Sequence, residues 1–292
     1  MRELTECILE NGMVVNCLKN WEASNAAQPY YDHVQLYFNK FVKIKEGDTV
    51  LDIGANIGMY TISIFERYGD KVKVFAFEPI PEVYQVLKAN AERYSKETLI
   101  PVQKGVSNRK GIVEFTYYPT APSFSTLYPE LQQEEVIDGL IDYFDKLEKE
   151  GRLDEWPSNI QETIEKIKNN DNLTEEKKER AIKMETMIAI KNSFYAQKVE
   201  CELTTVSEII KEYEIVRIDV LKLHVEHSEW DILKGIEEED WDKIQQLVIQ
   251  IEGVDTIKMV EDLLKEHNFT QIESVVQDDI AAFSTIIIYA AK

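Results

Sequence analysis

Cysteine is scarce in this chain of 292 residues: only Cys7, Cys17 and Cys201 occur, an odd number at wide spacing. No Cys-x-x-Cys pair is present, so the pattern indicates neither a disulfide framework nor a structural zinc site. We therefore expect a protein of a reducing compartment, the cytoplasm. Long apolar runs are also missing, because none approaches the ~20 residues needed to span a bilayer, and no basic-then-apolar leader opens the sequence. We expect no membrane partner.

Basic residues are few relative to acidic ones, 33 Lys and Arg against 54 Asp and Glu, which gives a net charge of -21. A nucleic-acid partner calls for a basic surface, so we expect none. An acidic carrier protein would need a local basic patch. Hydrophobic residues make up 44% of the chain, which is sufficient for a sizeable core.

The stretch from Asp48 to Glu78 carries most of the functional information. Val50 and Leu51 read as a buried strand, Met59 to Tyr68 as a helix closed by Gly69, and Val72 to Phe77 as a second strand. This order predicts a β-α-β unit with a parallel strand pair, which is typical of nucleotide-binding α/β proteins.

Two glycines, Gly54 and Gly58, frame the turn between that strand and helix, where a residue without Cβ tolerates positive φ and lets a ligand approach the backbone. Glu78 ends the second strand, where a carboxylate can accept both hydroxyls of a ribose. The nicotinamide fingerprint G-x-G-x-x-G fails, because Asn56 and Met59 stand at its second and third glycine positions. An ordinary glycine turn beside a solvated Glu is the non-functional alternative.

The pattern Asp-x-Gly-x-Asn-x-Gly followed by Phe-Glu-Pro resembles motif I and the acidic loop of S-adenosylmethionine (SAM) methyltransferases. Its residues are most similar to those of the FkbM family. The resemblance implies an α/β, class I (Rossmann-like) methyltransferase fold: a mostly parallel seven-stranded sheet with helices on both faces and a helical insert. It implies SAM as cofactor. The residues expected to bind it are Asp52, Gly54, Ala55, Asn56, Gly58, Glu78, Pro79 and Ser107.

Residues 1–46 form a leader before the core. Asn11-Gly12 predicts a small hairpin, and an aromatic string up to Phe41 has helical spacing. The string predicts either a helix packed on the core or a lid over the site. The resemblance implies that Tyr31 and Asp32 lie over the ligand, and we consider His33 as a second acid/base group.

Residues 47–118 and 199–292 are expected to form the methyltransferase core, interrupted at 119–198 by a charged helical cap. Leu131 to Glu150, Pro157 to Lys168 and Leu173 to Gln197 each read as helices. The cap is either a surface decoration or oligomer contact, or a lid that gives substrate selectivity. Tyr117 and Tyr118, at its entrance, are candidate substrate contacts.

Ionisable side chains interrupt two apolar strands late in the sequence. In Ile218 to Val225 a period of two places Lys222, His224 and Glu226 on one face. In Gln246 to Glu252 the residues Gln250 and Glu252 share a face. Charges in a central strand cost several kcal/mol unless they are paired or solvated, so these rows predict either a salt-bridge network or a wall of the active site.

Methyl transfer to an alcohol requires a base, because the hydroxyl is a poor nucleophile. We expect His224 to supply it, oriented by Glu252 or Glu226, with Lys222 balancing the carboxylates. FkbM-like enzymes typically have Lys-Ile-Asp-Val-Glu in the first strand and Glu-Val-His in the second. This chain has Lys222-Leu223-His224-Val225-Glu226 in the first and Gln250-Ile251-Glu252 in the second, so the acid and the imidazole have exchanged strands. A metal site is an alternative, because His224, Glu226, His227 and Glu252 could provide nitrogen and oxygen ligands. We expect no metal.

The resemblance is greatest to O-methyltransferases of polyketide and nonribosomal peptide biosynthesis. It implies a hydroxyl acceptor on a natural-product intermediate or another small molecule, either free or tethered to a carrier protein. Two alternatives stay open. One is a SAM-binding protein that has lost or changed methyl-transfer chemistry, and the other is a helical interaction module on an inert core.

Overall fold

The structure, a computed structural model, describes residues 4–18, 27–39, 41–119, 121–130, 158–193, 195–252, 255–277 and 285–292. The helix expected over Leu131 to Glu150 lies outside these residues. The strands are β1 (Leu4–Ile8), β2 (Val14–Leu18), β3 (Thr49–Ile53), β4 (Lys73–Phe77), β5 (Leu99–Val102), β6 (Gly105–Val106), β7 (Gly111–Tyr117), β8 (Gln197–Thr204), β9 (Val220–Leu223), β10 (Gln246–Glu252), β11 (Gln271–Gln277) and β12 (Thr285–Ala291).

The helices alternate with these strands. They are α1 (Ala27–Val34), α2 (Met59–Tyr68), α3 (Pro81–Tyr94), α4 (Ser158–Lys168), α5 (Glu175–Ser193), α6 (Val206–Glu212), α7 (Glu229–Lys234) and α8 (Asp255–Glu266), with short 3-10 turns at Gln35–Tyr37, Gly69–Lys71, Pro122–Phe124 and Glu238–Lys243. Within the described ranges, no helix combines the length and the apolar character that crossing a bilayer requires.

The main sheet has seven strands in the order β11-β12-β10-β9-β3-β4-β5. The pairs from β10 to β5 are parallel, and β12 runs antiparallel to both of its neighbours. The expected seven-stranded, mostly parallel sheet is confirmed. Its central strands are covered on both faces, because alternate residues such as Val50 and Leu51 belong to separate apolar clusters, which explains their nearly continuous hydrophobic sequence.

The register brings the ends of β3, β9 and β10 together at the carboxyl edge of the sheet. Asp52 lies beside Lys222 in the β3-β9 pair, and Ile249 lies beside Leu223 in the β10-β9 pair. Parallel strands in register end at the same edge, so the residues that follow them converge there.

The strand predicted over Ile218 to Val225 is shorter in the structure, where β9 stops at Leu223. Ile218 makes only an isolated bridge with Ile244, and the chain turns sharply at Glu226 and His227, whose φ angles are 51° and 72°. Periodicity alone could not reveal this end, because the residues beyond Leu223 keep the alternation of the strand while their backbone leaves the sheet.

A separate three-stranded sheet holds the chain on both sides of the insert, in the order β6-β8-β7. Strand β8 begins at Gln197, two residues before the expected restart of the core, because Gln197 pairs with Tyr117 at the end of β7. The predicted capping box is confirmed in the next helix, where the hydroxyl of Thr205 accepts from the backbone N–H of Glu208 at 3.1 Å.

The leader contains the hairpin that Asn11-Gly12 predicts, with β1 antiparallel to β2. One of its contacts with the core is made by the buried side chain of Asn90 on α3. The Asn90 amide donates to the carbonyl oxygens of Asn16 on β2 and of Ile57 in the turn after β3, at 3.0 and 2.8 Å, and its oxygen accepts from the backbone N–H of Asn16 at 2.7 Å. Asn90 therefore contacts both the hairpin and the glycine turn.

Candidate active site

The turn after β3 contains three residues in the left-handed region, Gly54, Asn56 and Gly58, with φ angles of 73°, 52° and 92°. A Cβ added to Gly54 would lie 1.8 Å from the carbonyl oxygen of His224. Only glycine fits this position, because it packs directly against the chain leaving β9. We expected a ligand to make that close approach; in the structure the protein's own backbone makes it. The glycine turn and His224 are therefore in direct contact.

Glu78 lies at the end of β4, and only 7% of it is exposed. One carboxylate oxygen accepts from the backbone N–H of Asn56 at 3.1 Å, and the other accepts from that of Ile80 at 2.9 Å. Burial outweighs these hydrogen bonds and raises the pKa of Glu78 to about 7. Each oxygen keeps a lone pair for a further donor, so the carboxyl group fits the two hydroxyls of a ribose.

Asp52, predicted to bind the cofactor, is fully buried and uses both carboxylate oxygens within the protein. One oxygen accepts from the hydroxyl of Thr61 at 2.7 Å, and the other from the ammonium group of Lys222 at 2.9 Å. Lys222 also donates to the carbonyl oxygen of Gly54 at 2.9 Å. The two charged groups form a buried ion pair, and Lys222 also holds the glycine turn in place through its hydrogen bond to Gly54.

The remaining predicted cofactor residues lie around the same turn and its neighbours. The backbone N–H of Ala55 donates to the carbonyl oxygen of Phe77 at 2.9 Å, and Gly58 begins α2. Pro79 follows Glu78 and lies near Gly105. Ser107, predicted at the adenine edge, is buried beside Thr204.

His224 lies just beyond β9, at the centre of a polar cluster. Its Nδ1 lies 2.9 Å from the hydroxyl of Tyr37, and its Nε2 lies 2.8 Å from the amide nitrogen of Gln250. A carboxylate oxygen of Glu226 is 3.4 Å from the same Nε2. The hydroxyl of Tyr37 donates to the amide oxygen of Gln250 at 2.7 Å, which closes a ring of three hydrogen bonds. This ring holds the imidazole in one orientation.

His33, the last basic residue of α1, joins the cluster from the leader. Its Nε2 donates to the amide oxygen of Gln250 at 2.8 Å and lies 3.3 Å from the hydroxyl of Tyr37. The ring centres of His33 and His224 are 6.1 Å apart. Two imidazoles therefore face the same amide, from opposite ends of the sequence.

Burial keeps both imidazoles neutral. It lowers the pKa of His224 well below its usual range, assisted by the positive charge of Lys222 and by His33. The pKa of His33 is lowered by burial and by Lys222, although its hydrogen bond to Gln250 opposes this. A neutral imidazole can accept a proton, and the carboxylate of Glu226 can offset the charge that results on His224.

Three of the predicted substrate residues have their described contacts elsewhere. The hydroxyl of Tyr31 contacts Asn11 and Glu66, and that of Tyr117 donates to Glu82 at 2.8 Å. Tyr118 is buried beside Ser125. Among the described contacts, none joins these three side chains to the imidazole cluster. Asp32 is exposed and accepts from the neighbouring Gln28. The side chain of Glu252, at the end of β10, lies outside the described residues.

The sequence analysis did not anticipate Tyr37 in this cluster, and it placed Gln250 in a polar row without giving it a role. Gln250 carried a signal, since it is a polar residue in an otherwise apolar strand segment, Val248-Ile249-Gln250-Ile251. Tyr37 carried none, because an aromatic residue in an aromatic string is most simply part of the core. Only its fully buried hydroxyl between His224 and Gln250 reveals the difference.

The segment leading into the insert touches both the leader and the active-site loop. The hydroxyls of Tyr30 on α1 and Ser123 lie 2.7 Å apart. The hydroxyl of Thr126 donates to the carbonyl oxygen of Glu226 at 2.9 Å. These contacts connect the insert's first residues to the loop that carries Glu226.

The sheet order, the glycine turn and the buried acid at the end of β4 together define a SAM-dependent methyltransferase of class I, Rossmann-like fold. Residues 52–270 match the family model of the methyltransferase FkbM domain. The chain belongs to this family, as the resemblance implied, and the alternative of an interaction module on an inert core is wrong.

Two related methyltransferases are similar to this chain over most of their length. The chain is 28% identical over 295 residues to the 31-O-demethyl-FK506 methyltransferase FkbM of Streptomyces tacrolimicus, covering 100% of this chain and 98% of the relative. It is 28% identical over 249 residues to methyltransferase sdnD of Sordaria araneosa, covering 82% and 77%. A crystal structure of the FkbM methyltransferase of Methylobacillus flagellatus KT superposes with a TM-score of 0.50 at 14% identity, covering 89% of this chain and 50% of that one, and this likeness shows the fold alone.

The cofactor is S-adenosylmethionine, which supplies a methyl group activated by a sulfonium. The residues present fit it: Glu78 retains acceptor capacity for the ribose, and the turn from Gly54 to Gly58 would line the methionine part. Within the part of the chain that the structure describes, no three His, Cys, Asp or Glu side chains are grouped to hold a metal ion.

Proposed function

We propose that this chain methylates a hydroxyl group of a small molecule of the polyketide or peptide natural-product type, with an imidazole-carboxylate pair as general base. One observation carries the proposal. Both Glu226 and Gln250 face Nε2 of His224, and the backbone of His224 packs against Gly54 of the cofactor turn.

A hydroxyl acceptor is supported by the need for such a base. An alcohol holds its proton far above neutral pH and must lose it as the new carbon-oxygen bond forms. His224 is neutral, so it can take that proton. Its resulting charge would be stabilised by the carboxylate of Glu226 at 3.4 Å from Nε2.

Both ring nitrogens of His224 are engaged in the structure, Nδ1 by Tyr37 and Nε2 by Gln250. The acceptor hydroxyl would therefore replace the Gln250 amide as the donor to Nε2. Tyr37 would keep Nδ1 in place during the exchange, as the orienting partner of a general base does. Glu252 is the second candidate for the carboxylate, since β10 carries it to the same edge.

The substrate class is supported by the relatives. The Streptomyces tacrolimicus enzyme is named for a hydroxyl of demethylated FK506 and covers the same length as this chain. Another match is a segment within the AMB antimetabolite synthetase AmbE of Pseudomonas aeruginosa, of which it covers 10%. Free and carrier-tethered acceptors are therefore both to be tested.

The test measures cofactor binding and methyl transfer separately. Calorimetry with SAM and S-adenosylhomocysteine establishes binding. Transfer of a labelled methyl group is then followed with 31-O-demethyl-FK506 and a panel of alcohols, free and loaded on a carrier protein, with the corresponding methyl ethers as blocked controls. We expect label on alcohols and none on the ethers.

The variants His224→Asn and Glu226→Gln assign the base. Loss of a general base typically lowers kcat by roughly 10²–10⁴-fold, and we expect this for His224→Asn with unchanged S-adenosylhomocysteine affinity. Glu226→Gln should have a smaller effect in the same direction. The matched control is His267→Asn, because His267 stacks on Trp241 and takes no part in the cluster. Transfer only to amine, carbon or carboxyl acceptors, or full activity in His224→Asn, would overturn the proposal.

A further inference from the structure

The chain leaves β9 through a turn whose backbone is strained. Glu226 and His227 are consecutive non-glycine residues in the left-handed region, with φ angles of 51° and 72°. A side chain with a Cβ clashes with the neighbouring backbone in this region, so the conformation persists only where the surrounding structure fixes it. Contacts from outside the turn must therefore hold it.

The turn is relevant to the chemistry because it carries Glu226. A carboxylate oxygen of Glu226 lies 3.4 Å from Nε2 of His224, and only 9% of Glu226 is exposed. The φ angle of Glu226 sets the direction of its side chain relative to the residues before it, so relaxation of the turn would change the distance between carboxylate and imidazole. The electrostatic effect of Glu226 on His224 depends on that distance.

Two of the described hydrogen bonds hold the backbone at this turn. The backbone N–H of Val225 donates to a carboxylate oxygen of Glu229 at 3.1 Å, a local contact because Glu229 begins α7. The carbonyl oxygen of Glu226 accepts from the hydroxyl of Thr126 at 2.9 Å. Thr126 belongs to the entrance of the insert, 100 residues earlier in the sequence. The insert therefore contacts the strained residue itself.

Thr126 is well fixed for this contact. It is fully buried, and its backbone N–H and carbonyl oxygen both pair with Thr116 on β7, at 3.0 and 2.9 Å. Its hydroxyl oxygen accepts from the backbone N–H of Tyr128 at 3.0 Å. A hydroxyl has one hydrogen to donate, and here that hydrogen goes to the carbonyl oxygen of Glu226.

The same segment is also joined to the helix that follows the turn. The hydroxyl of Tyr128 donates to one carboxylate oxygen of Asp231 on α7, and the amide of Asn108 donates to the other at 3.2 Å. The hydrogen bond to Asp231 and burial raise the pKa of Tyr128 to about 12, so its hydroxyl stays a neutral donor. Thr126 is therefore held at a fixed position relative to the helix that follows the turn.

We propose that Thr126 is a positioning residue, which donates to the carbonyl oxygen of Glu226, holds the strained turn and thereby keeps the carboxylate of Glu226 beside His224. Thr126 acts through Glu226 and not on substrate or cofactor. The inference rests on the proposed function, in which that carboxylate stabilises the positive charge on His224. It gives the entrance of the insert a role in catalysis beyond the surface decoration or lid expected from the sequence.

Three substitutions separate the hydroxyl of Thr126 from its bulk. Thr126→Val keeps the shape and removes the donor, whereas Thr126→Ser keeps the donor and removes a methyl group. Thr126→Ala, compared with Thr126→Ser, removes the same hydroxyl from a smaller side chain and replaces the valine variant if that variant does not fold. The matched control is Thr186→Val, because Thr186 is buried and its hydroxyl donates to the carbonyl oxygen of Ile182 at 2.9 Å within α5.

The first readout is methyl transfer to an alcohol that the wild-type protein accepts. We expect kcat to fall about five- to tenfold in Thr126→Val, with KM and S-adenosylhomocysteine affinity unchanged, because only the stabilisation of the charged imidazole is weakened. Thr126→Ser and Thr186→Val should behave as the wild-type protein. In a Glu226→Gln background Thr126→Val should have almost no further effect, since the charge that it positions is already absent.

A second readout is independent of turnover. The chain has four histidines, so ¹⁵N-labelled imidazole signals can be assigned by single substitutions. Displacement of the Glu226 carboxylate removes a charge from beside Nε2 of His224. The His224 signals of Thr126→Val should therefore shift towards those of Glu226→Gln, while Thr126→Ser and Thr186→Val keep the wild-type signals.

An equal fall in kcat in Thr126→Val and Thr186→Val would overturn the inference. A full additional effect of Thr126→Val in the Glu226→Gln background, or wild-type His224 signals in Thr126→Val, would overturn it as well. Failure of the wild-type protein to methylate any alcohol would count against the proposed function instead. The His224 signals would then still decide whether Thr126 holds Glu226 in place.

Discussion

The proposed cofactor side and the proposed acceptor side of this site are built in different ways. On the cofactor side the functional contacts join residues close in sequence: Thr61 to Asp52, nine residues apart, and Asn56 to Glu78, twenty-two apart. On the acceptor side Tyr37 and His224 are 187 residues apart, and His33 and Gln250 are 217 apart. One half is a single β-α-β unit, and the other half exists only when the leader and two late strands meet.

The difference extends to the kind of partner used. Glu78 is oriented by backbone N–H groups, which are present whatever side chains surround them. The imidazole cluster is oriented by other side chains, each of which a single substitution can change. A single side-chain substitution can therefore change the orientation of the imidazole cluster more directly than that of Glu78.

The largest effect of this series is expected on stability, when the buried ion pair between Asp52 and Lys222 next to the glycine turn is broken. Asp52→Asn leaves the ammonium group of Lys222, which is 3% exposed, without its counter-charge. Breaking a buried pair in this way typically costs about 3–5 kcal/mol, and we expect that loss in the free energy of unfolding, measured by chemical denaturation.

The double variant Asp52→Asn with Lys222→Met is its control, because removal of both charges should restore most of the lost stability. If the single substitution is as stable as the wild-type protein, the ion pair does not brace the turn.

The next effect concerns Glu78 itself. Glu78→Gln removes a charged acceptor for the ribose hydroxyls, and a hydrogen bond to a charged group contributes about 1.5–3 kcal/mol. We expect S-adenosylhomocysteine affinity, measured by calorimetry above neutral pH, to fall about ten- to hundredfold. Glu92→Gln on the exposed face of α3 serves as control. Unchanged affinity would remove Glu78 from the cofactor site.

The pH dependence of the same affinity is a finer test. The pKa of Glu78 is raised to about 7, so the carboxyl is mostly protonated in more acidic solution, whereas the ribose hydroxyls favour the ionised form. Affinity should rise by up to roughly tenfold per pH unit below this pKa and level off above it. Glu78→Gln should remove this rise, and a wild-type affinity that is flat across the range would contradict the assignment.

Stability should respond to Glu78 with the opposite sign. Between its ordinary pKa of 4.5 and its raised pKa of about 7, the folded protein binds more protons at this residue than the unfolded chain does. The contribution of Glu78 to the free energy of unfolding therefore falls as pH rises through that window. Comparing wild-type and Glu78→Gln denaturation curves at the two ends of the window isolates it.

The smallest effect of this series is expected for Tyr37, which orients His224. Tyr37→Phe removes the hydroxyl that contacts His224 and Gln250 but keeps the ring. Loss of such a contact is worth about 1 kcal/mol, so kcat should fall about fivefold with cofactor affinity unchanged. Tyr94→Phe, whose hydroxyl contacts the carbonyl oxygen of Val14 in the hairpin, is the matched control. An equal fall in both variants would mean that Tyr37 acts on stability only.

Much of the fold could be predicted from the sequence, because its signals are local. The apolar runs around Leu51 and Phe77, the turn at Asn11-Gly12 and the cap at Thr205 each determine a short segment through periodicity, positive φ or side-chain capping. The carboxyl end of β9 could not be located in this way, because the alternation of apolar and polar residues continues beyond Leu223, the last residue of the strand.

The sequence by itself determined the β-α-β unit, the glycine turn and the acid at the end of β4, because their geometry follows from residues within one unit. It also indicated that His224 needed a partner. Only the tertiary structure decided that the partners are Tyr37 and Gln250, that Lys222 and Asp52 neutralise each other, and that His33 reaches the same amide. These contacts depend on strand order and register across the whole chain, which no local pattern specifies.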